Sequence, residues 1–284
     1  MENIVGIEYN KPKVYLINEY GLGVSEIAAR TCYDSYLSSE NEAIKKVKTQ
    51  KNKTIFEECN LIERSDLLDN LAWVHHHHSI LEHTTLSFLI EGTSRGVLQE
   101  HARHRLQAIS VRSTRYTMAD IINYFVISLY INKGKDYFIK KILSLDMFVI
   151  SNKDYNKIEI ESIYKKLLFQ FNTIGEEEFF NASIAKSLIE EFNVIKNTNN
   201  VESFETLLFS KKKRNVGDSF KHIVSDNWKV DLVVTFNLRS LKNYFQLRDS
   251  GAAYFQIQWL AQEMKKVIPE KYLDLIVKRK EIKE

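Results

Sequence analysis

Residues 84–105, TTLSFLIEGTSRGVLQEHARHR, decide how this chain reads. From Thr85 to Glu91 the pattern alternates around Leu86, Phe88 and Ile90, the two-residue period of a strand with one face buried. Gly92 and Gly96 interrupt it, and Ser94 to Arg105 then reads as a helix. A strand, a glycine-bearing turn and a helix in succession favour a pocket over a flat surface stripe.

On the N-terminal side, Ser65 is placed to cap a helix carrying Leu67, Leu68, Leu71 and Val74 at helical spacing. Asn3 to Tyr20 predicts two short strands and Val24 to Cys32 a short helix. Ser35 to Ile62 is charged and irregular, and reads as a surface excursion with a helical piece. On the C-terminal side, Tyr124 to Ile131 is β-branched and aromatic, which predicts a strand. Apolar residues then fall at helical spacing from Ile158 to Phe209, with Asn197–Asn200 separating two helices, and Leu238 to Ile268 predicts one long helical stretch. Strands first and helices afterwards imply an α+β fold: a mainly antiparallel sheet with packed helices, as a single domain over residues 1–284.

The 284 residues carry 40 Lys+Arg against 37 Asp+Glu, a net charge of +3, and are 44% hydrophobic. That composition excludes a disordered chain. No apolar run approaches the ~20 residues needed to span a bilayer, so no membrane partner is expected. The opening MENIVGIEYN has an acid where a signal peptide carries basic residues, and no apolar stretch follows; a cytoplasmic location is expected. Two cysteines, Cys32 and Cys59, stand far apart, which excludes a disulfide framework and a cysteine-based zinc site. Neither has a basic neighbour in sequence to lower its pKa, so both are read as buried or inert thiols rather than nucleophiles.

Charge concentrates in one place. Between Arg95 and Arg115 there are five arginines and two histidines against one acid, Glu100, for a local net charge of +4 in 21 residues. Arginine forks match phosphate geometry, so this cluster reads as a site for a phosphorylated small molecule or a nucleic-acid backbone. The run Lys211–Arg214 has no interleaved aromatic residues and reads as a solvated basic turn. His75–His78 suggests a metal. Only i, i+3 and i, i+4 positions share a helix face, which leaves His75 with His78, or His78 with Glu82, as ligand pairs. A surface helix end is the preferred reading, and no metal is expected. Ser113 has no dedicated base in the sequence, and a phosphate-binding hydroxyl suits it better than a nucleophile.

Arg103-His104-Arg105 followed seven residues later by Ser113 resembles the RHR-x7-S signature of flavin-dependent thymidylate synthases. His77-His78-Ser79-Ile80-Leu81-Glu82-His83 is similar to that family's H-x-[ST]-x-x-E-H segment. Asn237-Leu238-Arg239-Ser240-Leu241, Asn243 and Leu247-Arg248 resemble its C-terminal helix. The resemblance covers about residues 65–118 and 218–268, with an AAR segment at Ala28–Arg30. Residues 34–64 and 120–216 carry none and read as surface expansions.

The resemblance implies conversion of dUMP to dTMP. Methylenetetrahydrofolate supplies the carbon, NADPH the reducing power, and FAD carries the hydride. It implies FAD contacts at His77, Ser79, Arg103, His104, Arg105, Val111, Asn237, Arg239 and Asn243. It places dUMP at Glu100, Arg103, Ser113, Arg115, Lys221 and Arg248, with Arg248 favouring ionisation at uracil N3. It also implies a homotetramer with shared sites. Val111 replaces an acid or amide, leaving only a backbone contact there. Glu100 replaces Gln, and its charge must be offset by Arg103 or Arg115. Lys221 replaces Arg and cannot make a bidentate fork. A flavin route needs no protein nucleophile, in keeping with the two unactivated cysteines. At 100° per residue, Asn237 and Arg248 fall within about 20° of one helix face, while Arg239 and Asn243 share another, so the helix serves two surfaces. The rival readings are a nucleic-acid-binding module using Arg95–Arg115 and a histidine-ligated metal hydrolase centred on His75–His83.

Overall fold

Thr85–Ser94 is a strand, and its burial follows the sequence: Leu86, Phe88 and Ile90 are fully buried while their neighbours are not. The structure is a computed structural model and describes residues 2–211 and 216–277. Its strands are β1 (Glu2–Ile4), β2 (Ile7–Tyr9), β3 (Lys13–Glu19), β4 (Thr85–Ser94), β5 (Gln107–Val111) and β6 (Lys229–Asn237). By its contacts the chain divides into two units, each built from two separate stretches: Met1–Asn10 with Arg112–Lys229, and Lys11–Val111 with Val230–Glu284.

The second of these holds a four-stranded sheet in the order β3-β4-β6-β5. β3 pairs antiparallel with β4, setting Val14 opposite Ile90 and Leu16 opposite Phe88, and β5 pairs antiparallel with β6 from Gln107↔Phe236 to Val111↔Leu232. Val230, Leu232, Val234 and Phe236 are the buried positions of β6. Leu232, Val234 and Phe236 join Leu86, Phe88 and Ile90 in one core with Leu241 and Tyr244 of the Leu238–Arg248 helix and Leu260 and Met264 of the Phe255–Val267 helix. Each such large side chain contributes about 1.5–3 kcal/mol on burial.

The 35–62 stretch is not a surface excursion. Ile44, Val47, Ile55, Cys59 and Ile62 belong to the same core. The backbones of the Gly23–Cys32 and Lys53–Asn60 helices approach so closely that a Cβ on Gly23 would lie 2.0 Å from the Cys59 carbonyl oxygen. Glu26 is fully buried beneath this stretch and accepts from Ser39 Oγ at 2.5 Å and Asn41 Nδ2 at 3.1 Å, with Arg30 Nε at 3.4 Å.

The other unit is helical around an aromatic core that includes Phe125, Phe138, Phe179, Phe192, Phe204 and Phe220, all fully buried. Residues 120–216 therefore fill an interior of their own rather than decorating a surface. Tyr124 to Ile131 is not a strand: most of it lies in the Thr114–Leu129 helix. That helix buries Ile121, Ile122, Phe125, Val126 and Ile127, so it is apolar nearly all round and its 3.6-residue period is masked. The helix expected from Ser94 to Arg105 is shorter, Arg95–His101, with Ser94 Oγ accepting from Val97 N as its cap. The single helix expected from Leu238 to Ile268 is two, Leu238–Arg248 and Phe255–Val267. The Lys211–Arg214 run falls largely on 212–215, outside the described residues. Overall the chain is α+β with a mainly antiparallel sheet, and no helix among the described residues is long and apolar enough to cross a membrane.

Candidate active site

The Leu238–Arg248 helix begins where β6 ends, and Asn237 caps it, its side chain accepting from Ser240 N at 2.8 Å. This helix forms one wall of a cleft of about 720 Å³ with Arg239, Asn243 and Arg248. The facing wall is Arg103, His104 and Arg105, from the turn after the Arg95–His101 helix. The size suits a small-molecule site. Arg103 and Arg105 have no carboxylate partner among the described residues.

A smaller cleft of about 340 Å³ shares His78 and Arg239 with the first and adds His77, Ser79 and Cys32. The structure thus brings His77, Ser79, Arg103, His104, Arg105, Arg239, Asn243 and Arg248 to two adjoining clefts. Asn237 is engaged as a cap, and Val111 sits in β5 opposite Leu232, packed on the core. The expectation that Arg248 serves a different surface from Arg239 and Asn243 does not hold, because the long Arg248 side chain reaches across to Glu100 and His104.

That reach defines the electrostatics. Arg248 Nη1 donates to Glu100 Oε2 at 2.6 Å, Nη2 to the Glu100 carbonyl at 3.3 Å, and Nε to His104 Nε2 at 2.9 Å. Glu100 is therefore offset by Arg248, not by Arg103 or Arg115. Burial, then the Arg248 and Arg103 charges, lower the His104 pKa to about 4, so the ring is neutral at neutral pH and accepts through Nε2. Behind it, His101 is lowered to about 3, chiefly by burial, and its Nδ1 meets Tyr244 Oη at 3.1 Å. The Tyr244 ring packs against His104 at 4.8 Å between centroids.

Two cleft features were not anticipated from sequence. Lys242 is 4% exposed, with Nζ 3.6 Å from the Trp73 ring centroid, 3.1 Å from the Ala72 carbonyl and 3.2 Å from His78 Nε2. Burial lowers its pKa. Arg239 is paired with Glu82, which the histidine segment supplies. No local pattern marks Lys242, since a lysine in an amphipathic helix ordinarily faces water.

Ser113, Arg115 and Lys221 lie in the helical unit. Ser113 caps the Thr114–Leu129 helix, its Oγ accepting from Arg115 N at 3.3 Å. Arg115 Nη2 pairs with Asp218 at 2.9 Å, and a Cβ on Gly217 would lie 2.5 Å from Arg115 Cα, so the Val216–Phe220 helix packs tightly on this start and leads directly into Lys221. The start of this 16-residue helix, with Ser113 and Arg115 at its positive dipole end, is suited to an anion.

Cys59 is buried, and burial pushes its thiol pKa up. Cys32 is exposed rather than buried, with Sγ donating to the Ala28 carbonyl at 3.4 Å. Among the described residues no three His, Cys, Asp or Glu side chains gather as a metal site.

The thymidylate synthase complementing protein family matches residues 21–272, running through both stretches that carried no resemblance in the sequence reading. The flavin-dependent thymidylate synthase of Campylobacter jejuni is 26% identical over 260 residues, which is 92% of this chain and 93% of that protein. The Helicobacter pylori J99 protein of the same name is 25% identical over 248 residues, covering 87% and 89%. Among solved structures, Helicobacter pylori thymidylate synthase X with FAD and dUMP superposes with a TM-score of 0.54 at 22% identity, covering 94% of this chain and 97% of that one, which shows a shared fold. With 252 consecutive residues matched, the chain belongs to the thymidylate synthase complementing protein family.

Proposed function

We propose that this protein is a flavin-dependent thymidylate synthase, converting dUMP to dTMP with methylenetetrahydrofolate as carbon donor and NADPH as reductant. The observation that carries this reading is the basic cleft that gathers Arg103, His104 and Arg105 with Arg239, Asn243 and Arg248. Its donor set fits FAD. Arg103 and Arg105 are exposed and have no carboxylate partner among the described residues, which suits a pyrophosphate, and Asn243 and Ser79 supply neutral hydrogen bonds on adjoining walls. When bound, the flavin supplies the hydride carrier between NADPH and the nucleotide.

The chain's own residues then bind, orient and stabilise. His77, Ser79, Arg103, His104, Arg105, Arg239 and Asn243 hold FAD, with Asn237 at the head of their helix and Val111 limited to its backbone. Ser113, Arg115 and Lys221 hold the dUMP phosphate. Arg248 stabilises negative charge on the N3–C4–O4 system of uracil, which enriches C5. The chain acts as a single thymidylate-synthase-like domain over residues 1–284, in a homotetramer and in the cytoplasm. The central test is fluorescence titration of the cofactor-stripped protein with FAD. Saturable quenching and a yellow reconstituted protein are expected; no affinity for FAD overturns the reading.

Lys221 gives a second test. It carries the charge but not the fork of arginine. Lys221→Ala is expected to raise the KM for dUMP by roughly ten- to a hundred-fold, the size of a lost charge-assisted hydrogen bond, with FAD affinity unchanged. An unchanged KM moves Lys221 out of the nucleotide site.

A further inference from the structure

Resting on the reading above, we propose that Glu100 and His104 are positioning residues for Arg248, and that Glu100 acts as the counter-ion of this arginine rather than as a ligand of dUMP. A guanidinium has five N–H groups. Three are taken here: Nε–H by His104 Nε2, one on Nη1 by the Glu100 carboxylate and one on Nη2 by the Glu100 carbonyl. Two remain, one on each Nη nitrogen, and Arg248 lines the cleft. Each can donate to an acceptor in the cleft, such as N3 or a carbonyl oxygen of an ionised uracil.

The clamp is supported at each point. The Arg248 side chain is 15% exposed, so most of the guanidinium is withdrawn from water, while that of Glu100 stays 31% exposed. The Glu100 carbonyl stands in the last turn of the Arg95–His101 helix, the negative end of its dipole, and accepts from Arg103 N at 3.3 Å as well as from Arg248. The His104 ring is held against Tyr244, which is itself fully buried and bonded to His101. Because Nε2 accepts from Arg248, the ring proton of neutral His104 lies on Nδ1. An acid beside a cleft for anionic ligands is costly unless its charge is matched; the pair with Arg248, which does line the cleft, matches it. The carboxylate thus sets where the guanidinium points without touching substrate.

The test is a double-mutant cycle in the FAD-loaded enzyme, read as kcat and KM for dUMP, with FAD affinity and thermal stability as controls. Glu100→Ala is expected to lower kcat by about 10–100-fold, the scale of a misplaced catalytic group, with KM for dUMP changed less than about threefold. Glu100→Gln keeps an acceptor for Nη1 and is expected to recover most of the loss. In an Arg248→Ala background, Glu100→Ala is expected to cost nothing further. His104→Phe keeps a ring against Tyr244 but removes the Nε acceptor; read as kcat at saturating FAD, so that any loss of its flavin contact is set aside, it is expected to show the same non-additivity, and it serves if Glu100→Ala does not fold. Effects that multiply across the cycle, a rise confined to the dUMP KM, or a Glu100→Gln variant as impaired as Glu100→Ala each overturn the proposal. Wild-type dTMP formation decides the parent reading separately: an enzyme that makes no dTMP refutes that reading, whereas an active enzyme with an additive cycle refutes only this one.

Discussion

Arg248→Ala is expected to lower dTMP formation by about 10²–10³-fold while FAD affinity and flavin reduction by NADPH stay near those of the parent enzyme. The size follows from removing one preorganised donor group aimed at developing charge, a few kcal/mol of transition-state stabilisation. A guanidinium stays protonated and is not a base, so the loss lies in charge stabilisation and not in proton transfer. The separation of the half-reactions follows from the cleft. Arg248 stands in the last turn of its helix, bound to Glu100 and His104, whereas Arg239 and Asn243 line the wall nearer the helix start. Arg248→Lys is expected to restore little. An ammonium has no second arm, and it cannot serve Glu100, His104 and a planar ligand at once. Flavin reduction and dTMP formation measured separately in the alanine variant decide the matter. Near-normal dTMP turnover removes the catalytic role, and equal loss of both half-reactions points to a lost flavin or a damaged fold.

Much of this site is legible in sequence because its chemistry sits in short blocks. Arg103-His104-Arg105 and the Asn237–Arg248 helix each carry their polar groups within a few turns, and the structure brings them to one cleft. What was not legible depends on packing. Arg248 could not be assigned to the same surface as Arg239 from helical angles alone, because a long side chain in a last turn reaches well beyond its own face. Lys242 has the ordinary sequence setting of a solvated lysine, and only the Trp73 ring and the Ala72 carbonyl make it a buried one. The fold divides in the same way. The alternation in Thr85–Ser94 survives because one face of its sheet is buried; an equally regular alternation in β6, at Val230, Leu232, Val234 and Phe236, marks the strand beside it. The Thr114–Leu129 helix, buried on nearly every side, has no polar face to reveal its period, and its β-branched and aromatic residues imitate a strand.

Glu26→Ala is expected to cause the largest loss of stability of any single change considered for this chain. In sequence Glu26 stands in no motif, although Arg30 follows four residues later, the spacing of an ion pair on a helix. In the structure Glu26 is fully buried and Arg30 is 8% exposed, with Nε and the carboxylate 3.4 Å apart. Ser39 and Asn41 donate to the same carboxylate, so this one side chain ties the 35–62 stretch to the Gly23–Cys32 helix. Truncation leaves a buried guanidinium without its counter-ion and the Ser39 and Asn41 donors without their acceptor. Breaking a buried pair from one side costs about 3–5 kcal/mol. At about 2–4 °C per kcal/mol for a chain of this size, the Tm should fall by about 10 °C or more. Glu26→Gln keeps an acceptor for Ser39 but removes the charge facing Arg30, and an intermediate loss is expected. Replacing both partners, as Glu26→Leu with Arg30→Met, removes the buried charges together and should recover much of what the single truncation loses. Thermal unfolding of the four proteins is the measurement. A Tm within 2 °C of the parent for Glu26→Ala, or a double variant no better than the single one, would show that this carboxylate does not hold the stretch in place.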